Sequence, residues 1–347
     1  MTIPLLRSCS RLLLTLLFLI AVRGESWAGP APRYVLEGQE LPVALLQTKA
    51  ATFLVTTHSV LRLEGKQFVR KYRSEGAIRC ALAADTALWL GTRQGAVRLD
   101  TRRFRGLPVA LPDGAGAAEV VSLCRDARGG IWIGAVGYGV FRLASGGVEK
   151  VLSAPTINAA LVTADSSVWI GSNLGLNRFY HESWTRYNEE GVANLEIPDN
   201  FVEKLLPDNQ GNLWVLMSAG ISVFPGGGPT SSTTELPTAT FIGKPGNEVF
   251  SVVYVPGVGR VFATAMGLLL LPDAPAGQFA SFEPSSTDKI EQKRVLVPFS
   301  LPGTTSGRTP HIMQLDQKQR VWLVSPGEVR VLRMKEFRQL AQAGKVG

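Results

Sequence analysis

Seven times along this chain an aromatic residue sits inside a short apolar run, three times closed by Gly. The clearest copies are Leu88-Trp89-Leu90-Gly91, Ile131-Trp132-Ile133-Gly134 and Val168-Trp169-Ile170-Gly171. Leu213-Trp214-Val215-Leu216 and Val321-Trp322-Leu323-Val324 are weaker copies. Thr52-Phe53-Leu54-Val55 and Val261-Phe262-Ala263-Thr264 carry Phe in the same slot. The markers at 53, 89, 132, 169, 214, 262 and 322 are 36, 43, 37, 45, 48 and 60 residues apart. Repeats of this size, each with room for four short strands, predict an all-β chain: a seven-bladed β-propeller of four-stranded antiparallel blades. The 347 residues, with 36 Gly and 21 Pro, suffice for one such domain.

The N-terminus reads as a processing signal. Arg7 and Arg11 precede an apolar stretch from Leu12 to Val22, and Ser26-Trp27-Ala28 places small residues for cleavage after Ala28. Eleven apolar residues are short of the roughly 20 that a membrane-spanning helix needs. The expectation is a signal peptide over 1–28 and an exported propeller over 29–347, periplasmic or secreted. Its blades fall at about 43–73, 77–108, 119–152, 156–188, 201–243, 248–283 and 310–340. Long insertions interrupt the rhythm at 225–245 and 284–310, the second with a candidate extra strand over Arg294-Val295-Leu296-Val297. Removing three Arg and one Glu with the signal lowers the net charge from +8 to +6. The Lys and Arg are scattered, as suits solvated strand edges, and export argues against a nucleic-acid partner.

Within blade 2 the strands are expected over Ala77–Ala83, Leu88–Thr92, Ala96–Asp100 and Arg103–Leu107. Trp89 and Gly91 share one face and Leu88 and Leu90 the other. Both faces are apolar because a blade is sandwiched between its neighbours. Phe53, Trp89, Trp132, Trp169, Trp214, Phe262 and Trp322 are accordingly read as packing between blades, with Gly91 leaving room for the next blade. Six residues ahead of three of the Trp, Asp126, Asp208 and Asp316 open hairpin turns. Phe68, Phe104, Trp184 and Phe337 each follow their marker by 15 residues, which assigns them to outermost strands. The last blade would then bring its own fourth strand, Lys335–Leu340, with Tyr34–Glu37 beside it or in its place. A short C-terminal helix is the competing reading. Cys80 and Cys124 fall one register position apart on equivalent strands, open either to a disulfide or to two buried thiols.

The pattern Asp-x-x-Gly-x-Leu/Ile-Trp-Ile/Val-Gly, followed by Gly-Leu/Val-x-Arg, resembles the two-component regulator propeller repeat. Val168 to Phe179 follows it almost throughout, and Tyr187 to Gly191, leading to Phe201-Val202, resembles that family's connector between blades. The resemblance covers about residues 40–340 and is clearest from 77 to 224. It implies a periplasmic sensing propeller, in a family whose members recognise glycans or their fragments and signal through an attached kinase or cyclase. This chain reaches Gly347 without a second apolar span, a kinase or a helix-turn-helix. Only sensing or binding is therefore carried over.

Catalytic signatures are sparse. His58, His181 and His311 are not spaced as zinc ligands, and no Cys-x-x-Cys, Gly-x-Ser-x-Gly or phosphate-binding Gly-rich loop is present. No metal, cofactor or catalytic residue is expected. In a propeller the loops between second and third strands gather with the blade connectors at one end of the channel. Those loops hold His58, Arg93, Gln94, Tyr138, Asn173, Ser218 and Met266. His58 and Arg93 suit an acidic or hydroxylated ligand, and Tyr138 can stack on a sugar ring. The reading is a monomeric, non-catalytic propeller that binds a carbohydrate, another small molecule, or a membrane sensor or transporter protein. The alternatives are a lyase or glycan-processing enzyme using His58 or His311 as acid/base, and a structural scaffold.

Overall fold

The computed structural model describes residues 32–191, 195–218, 220–228, 234–237, 248–272, 297–299 and 309–343. The signal-peptide segment 1–28 and most of the two insertions lie outside them. Seven four-stranded antiparallel sheets form the seven blades of a β-propeller. The first strands are Pro42–Gln47, Ile78–Ala84, Val120–Arg125, Ile157–Val162, Val202–Pro207, Val249–Val255 and Ile312–Leu315. Each lies beside the first strand of the next blade, and the seventh meets the first, so these strands line the channel.

The aromatic markers all lie on second strands, which are buried almost end to end. Six of these side chains pack forward into the following blade, while Phe262 meets Trp214 of blade 5 (ring centroids 5.1 Å). Trp89 joins Val120, Ile131 and Phe141 of blade 3, and Trp132 joins Ile157, Val168 and Ile170 of blade 4. Trp169 packs with Val202, Leu205 and Val215 of blade 5, and Trp322 with Leu45, Leu54 and Phe68 of blade 1. The Gly two residues after the Trp sets the approach. A methyl group on Gly91 would stand 2.7 Å from the Val120 carbonyl, and one on Gly171 2.5 Å from Val202 Cγ1. Any larger residue would push the next channel strand away.

At the opposite end from the second–third hairpins, the Asp turns fix the indoles from below. Asp126 accepts from the Gly130 amide (2.7 Å), from Trp132 Nε1 (2.9 Å) and from Arg142 Nε (2.9 Å). Asp316 repeats this with Trp322 (3.0 Å) and Arg320 (2.6 Å). Asp208 takes the Trp214 indole (3.2 Å) and the guanidinium of Arg260 from the next blade (3.0 Å). Blade 4 substitutes Thr163 for the indole and Asp165 for Arg178. The turns therefore serve the core as well as the hairpin.

Ring closure differs from one sequence expectation. Residues 335–340 form no strand; they belong to a helix, Met334–Ala343. The segment is built of strong helix formers, its Phe337 and Ala341 are both fully buried one turn apart, and Glu336 accepts the Arg333 amide at 3.0 Å. The fourth strand of blade 7 is Arg33–Val35, antiparallel to Glu328–Arg333, with Tyr34 opposite Val329. One blade thus joins a strand at residues 33–35 to strands at 312–333. Phe104 also departs from its expected place. It lies in the turn before the outer strand Gly106–Pro108, with a left-handed φ of 53°, whereas Phe68 and Trp184 do lie on fourth strands. In blade 6 the fourth strand is Val297–Phe299.

Cys80 and Cys124 are free thiols. Cys80 packs at the boundary of blades 2 and 3, its thiol toward the Val120 carbonyl, and Cys124 at the boundary of blades 3 and 4. Burial pushes the Cys80 thiol up to about 12 and Cys124 further in the same direction.

Candidate functional site

The end of the channel that gathers the second–third hairpins and the blade connectors is built rigidly. A hydroxyl closing the second strand latches four of the hairpins. Thr56 donates to the Ser59 carbonyl (3.2 Å), Thr92 to Gly95 (2.8 Å), Ser172 to Gly175 (3.0 Å) and Thr264 to Gly267 (2.8 Å). The same oxygens accept amides at the hairpin tips, among them Gln94 (3.0 Å) and Leu174 (3.1 Å). The tips are therefore preformed rather than loose.

Below the tips, the first strands of blades 1 to 6 all lose register at one equivalent place. The extra residues are Val43, Arg79, Val121, Asn158, Glu203 and Phe250; blade 7 has none. A bulge leaves its residue out of the ladder and turns its side chain to a new direction. Here the polar bulge residues meet the hairpin tips. Asn158 Nδ2 donates to Asn173 Oδ1 (2.7 Å) and to the Val202 carbonyl of blade 5 (2.8 Å). Glu203 accepts from the Ser218 hydroxyl (2.9 Å). Arg79 binds Glu119 of the next connector (2.6 Å), which Arg93 approaches at 3.8 Å. Between blades 5 and 6, Lys204 bonds Glu248 (2.8 Å) and the Val249 carbonyl (3.0 Å).

Among the candidate residues, Arg93, Asn173 and Ser218 thus sit in this bulge-supported layer. Gln94 is exposed beside Arg93. Tyr138 is half-buried against the apolar cluster between blades 2 and 3, so its ring is partly committed to packing. Met266 is exposed. His58 is half-buried, and its carbonyl accepts the Ser74 amide at 2.8 Å. Glu40 stands beside it. Burial would raise the Glu40 carboxyl, but hydrogen bonds from Thr56, Ser59 and the His58 backbone outweigh that and lower it. A cavity of about 20 Å³ adjoins Glu40, Thr56, Ser59 and Arg70, room for about one water. His311, in blade 7, packs its ring on Phe250 (4.3 Å), and burial lowers its pKa so that it is neutral at neutral pH.

Sequence reasoning missed Glu40, Arg79, Glu119, Asn158 and Glu203. A bulge has no signature in a strand whose two faces are both apolar, because the slip breaks no alternation. The chemistry on offer is hydrogen bonding by paired amides, hydroxyls, carboxylates and guanidiniums. Among the described residues, no group of three or more His, Cys, Asp or Glu is placed to hold a metal ion.

No family model matches this sequence. No curated protein matches it either. Solved structures do. The extracellular domain of a proposed hybrid two-component system from B. thetaiotaomicron aligns at 15% identity and a TM-score of 0.61, over 86% of this chain and 39% of that one. A second such domain from the same organism aligns at 14% and 0.58, over 87% and 42%. YCF48 from Cyanidioschyzon merolae aligns at 10% and 0.57, over 88% of this chain and 99% of its own. The likeness is one of fold. This chain spans less than half the length of the two extracellular domains. No helix among the described residues is long and apolar enough to cross a membrane.

Proposed function

We propose that this is an exported, non-catalytic recognition propeller that binds a small hydroxylated ligand, a glycan fragment by preference, at the hairpin end of its channel. The observation that carries this reading is the layer of latched tips on bulge residues. Asn158–Asn173, Glu203–Ser218 and Arg79–Glu119–Arg93 hold polar groups from three blades at one end, and rigid donors and acceptors lose little entropy on binding. The likeness of fold to extracellular domains of hybrid two-component systems supports a sensing role, the signal passing to a separate membrane protein. Export and a monomeric state follow the sequence reading.

The test is a thermal-shift and glycan-array screen on the protein purified after export. A ligand that binds the folded state raises its midpoint. Arg93→Ala and Asn173→Ala should each weaken a hit by about tenfold, the scale of one lost charged or amide hydrogen bond, with unliganded midpoints confirming that both variants fold. A hit insensitive to both places the ligand elsewhere. Turnover of a glycan, lost on His58→Ala or His311→Ala, would favour an enzyme instead.

A further inference from the structure

The same end of the propeller carries a second, chemically different surface. Nine large hydrophobic residues are exposed among those described, and six of them lie on hairpin tips or connectors of this end: Leu41, Val136, Leu174, Leu195, Phe201 and Met266. Three lie on the hairpin and connector between blades 4 and 5. Leu174 is 48% exposed at a hairpin tip, and Leu195 (37%) and Phe201 (41%) flank the connector that follows. The Gly175 amide donates to the Asn200 carbonyl at 2.8 Å, which brings Leu174 and Phe201 together. The Asn188 amide donates to the Leu195 carbonyl at 3.1 Å, which ties the backbone at Leu195 to the end of the blade 4 outer strand. Ile197, fully buried under the connector, pins it to the core of blade 5.

The charge around them is mainly negative. Residues 188–203 include Glu189, Glu190, Glu196, Asp199 and Glu203 and not one Lys or Arg, in a chain with 36 basic and 28 acidic residues. Of the two bases that flank the stretch, Arg186 is turned onto the Leu174 carbonyl by two hydrogen bonds (2.6 and 3.1 Å) and Lys204 onto Glu248 (2.8 Å). An apolar patch rimmed by carboxylates repels anionic lipid, acidic polysaccharide and nucleic acid, and attracts a cationic chain that carries apolar side chains.

We propose that Leu174, Leu195 and Phe201, with their acidic rim, form a docking surface for a basic, apolar polypeptide segment of a partner protein. The partner's hydrophobic side chains cover the three exposed residues, and its Lys or Arg side chains face Glu189, Glu190 and Glu196. The surface adjoins the Asn173 hairpin of the proposed ligand site but does not depend on that reading.

The experiment is fluorescence anisotropy with the protein purified after export and two short labelled peptides, one alternating Leu and Lys, the other Leu and Glu. The Leu–Lys peptide should bind, more weakly as salt rises, and the Leu–Glu peptide should not. The double variants Leu174→Ser/Phe201→Ser and Glu189→Lys/Glu196→Lys should each weaken binding at least about tenfold. Leu107→Ser, on an exposed outer strand, should leave it unchanged. Thermal midpoints confirm that the variants fold, and Glu190→Lys alone serves if a double variant does not. Equal binding of both peptides, or binding undiminished by both double variants, overturns the proposal. So does capture by anionic vesicles through these residues, or a dimer of this chain that Phe201→Ser abolishes.

Discussion

Asp208 and Arg260 meet across the boundary of blades 5 and 6 at 3.0 Å, with side chains 0% and 6% exposed. The carboxylate also holds the Trp214 indole and the Gln210 and Asn212 amides, so all its neighbours are donors. Blades 3 and 4 draw their cation from the residue opposite the Trp, Arg142 and Arg178. In blade 5 that position is Val223, and Arg260 of the next blade supplies the charge instead. The ion pair therefore also ties two blades together.

Removing one partner strands the other in the interior. Arg260→Met should cost about 3–5 kcal/mol in urea unfolding, because a buried carboxylate loses its counter-charge. Adding Asp208→Asn to Arg260→Met should recover part of that loss, since the carboxamide needs no cation. A cost under about 1 kcal/mol for Arg260→Met would mean that water reaches the carboxylate.

Acid should weaken three of the Asp clasps. At Asp126, Asp165 and Asp316 burial raises the carboxyl, but hydrogen bonds from indole, hydroxyl, amide and guanidinium donors outweigh it and hold each below the ordinary Asp value. A folded-state pKa below the unfolded one gives stability that is complete above the unfolded value, about 3.9, and is lost as pH falls through the folded value. The urea midpoint should thus be level from about pH 7 to pH 5 and drop below about pH 4. Asp126→Asn with Asp316→Asn should flatten that drop. A wild-type midpoint unchanged well below the ordinary Asp pKa would contradict the assignment.

The blade count was legible because one large side chain per unit must fill the gap to the next blade, and its spacing survives where the rest of the repeat erodes. Trp214 and Trp322 keep it without the following Gly. The closing blade was legible only as alternatives. Phe337 follows Trp322 by the interval that marks outer strands elsewhere, yet the edge of Glu328–Arg333 is already taken by Arg33–Val35, and no local signal records a pairing across the whole chain. Arg93, Asn173 and Ser218 could be placed from hairpin position alone. Their supports Arg79, Asn158 and Glu203 could not, since a one-residue bulge changes direction without changing composition. The acidic stretch from Glu189 to Glu203 was visible as residues, but its meaning depends on Leu174 and Phe201 being brought beside it.

Gly171 tests the tight approach of successive channel strands. It has no need of an unusual backbone, so its role is space: a methyl group there meets Val202 Cγ1 at 2.5 Å and Cβ at 3.2 Å. Gly171→Ala should destabilise by about 1–3 kcal/mol, as overpacking does in a dense core. Val202→Ala in the same chain should relieve the contact, so the double variant should be more stable than the sum of the two single losses implies. Strict additivity would show that the blades part freely at this boundary.

Tyr34 tests the closure. Its ring stacks on Trp322 of blade 7 (centroids 6.3 Å, planes 4° apart) and meets Phe68 of blade 1 edge-on (5.5 Å, 79°). The three-residue strand around it is braced by Arg33, 2.8 Å from Glu328. So short a strand gains little from its ladder, and the aromatic contacts carry most of its hold. Tyr34→Ala should therefore cost about 2–4 kcal/mol, below a fully buried aromatic because the ring is only half-buried. Tyr34→Phe keeps the ring and should stay within about 0.5 kcal/mol of the parent. Glu328→Gln weakens only a partly solvated pair and should cost less than about 1 kcal/mol. Urea unfolding of the three variants orders the contributions, and an alanine variant as stable as the phenylalanine one would show that the ring is held shut by something other than Tyr34.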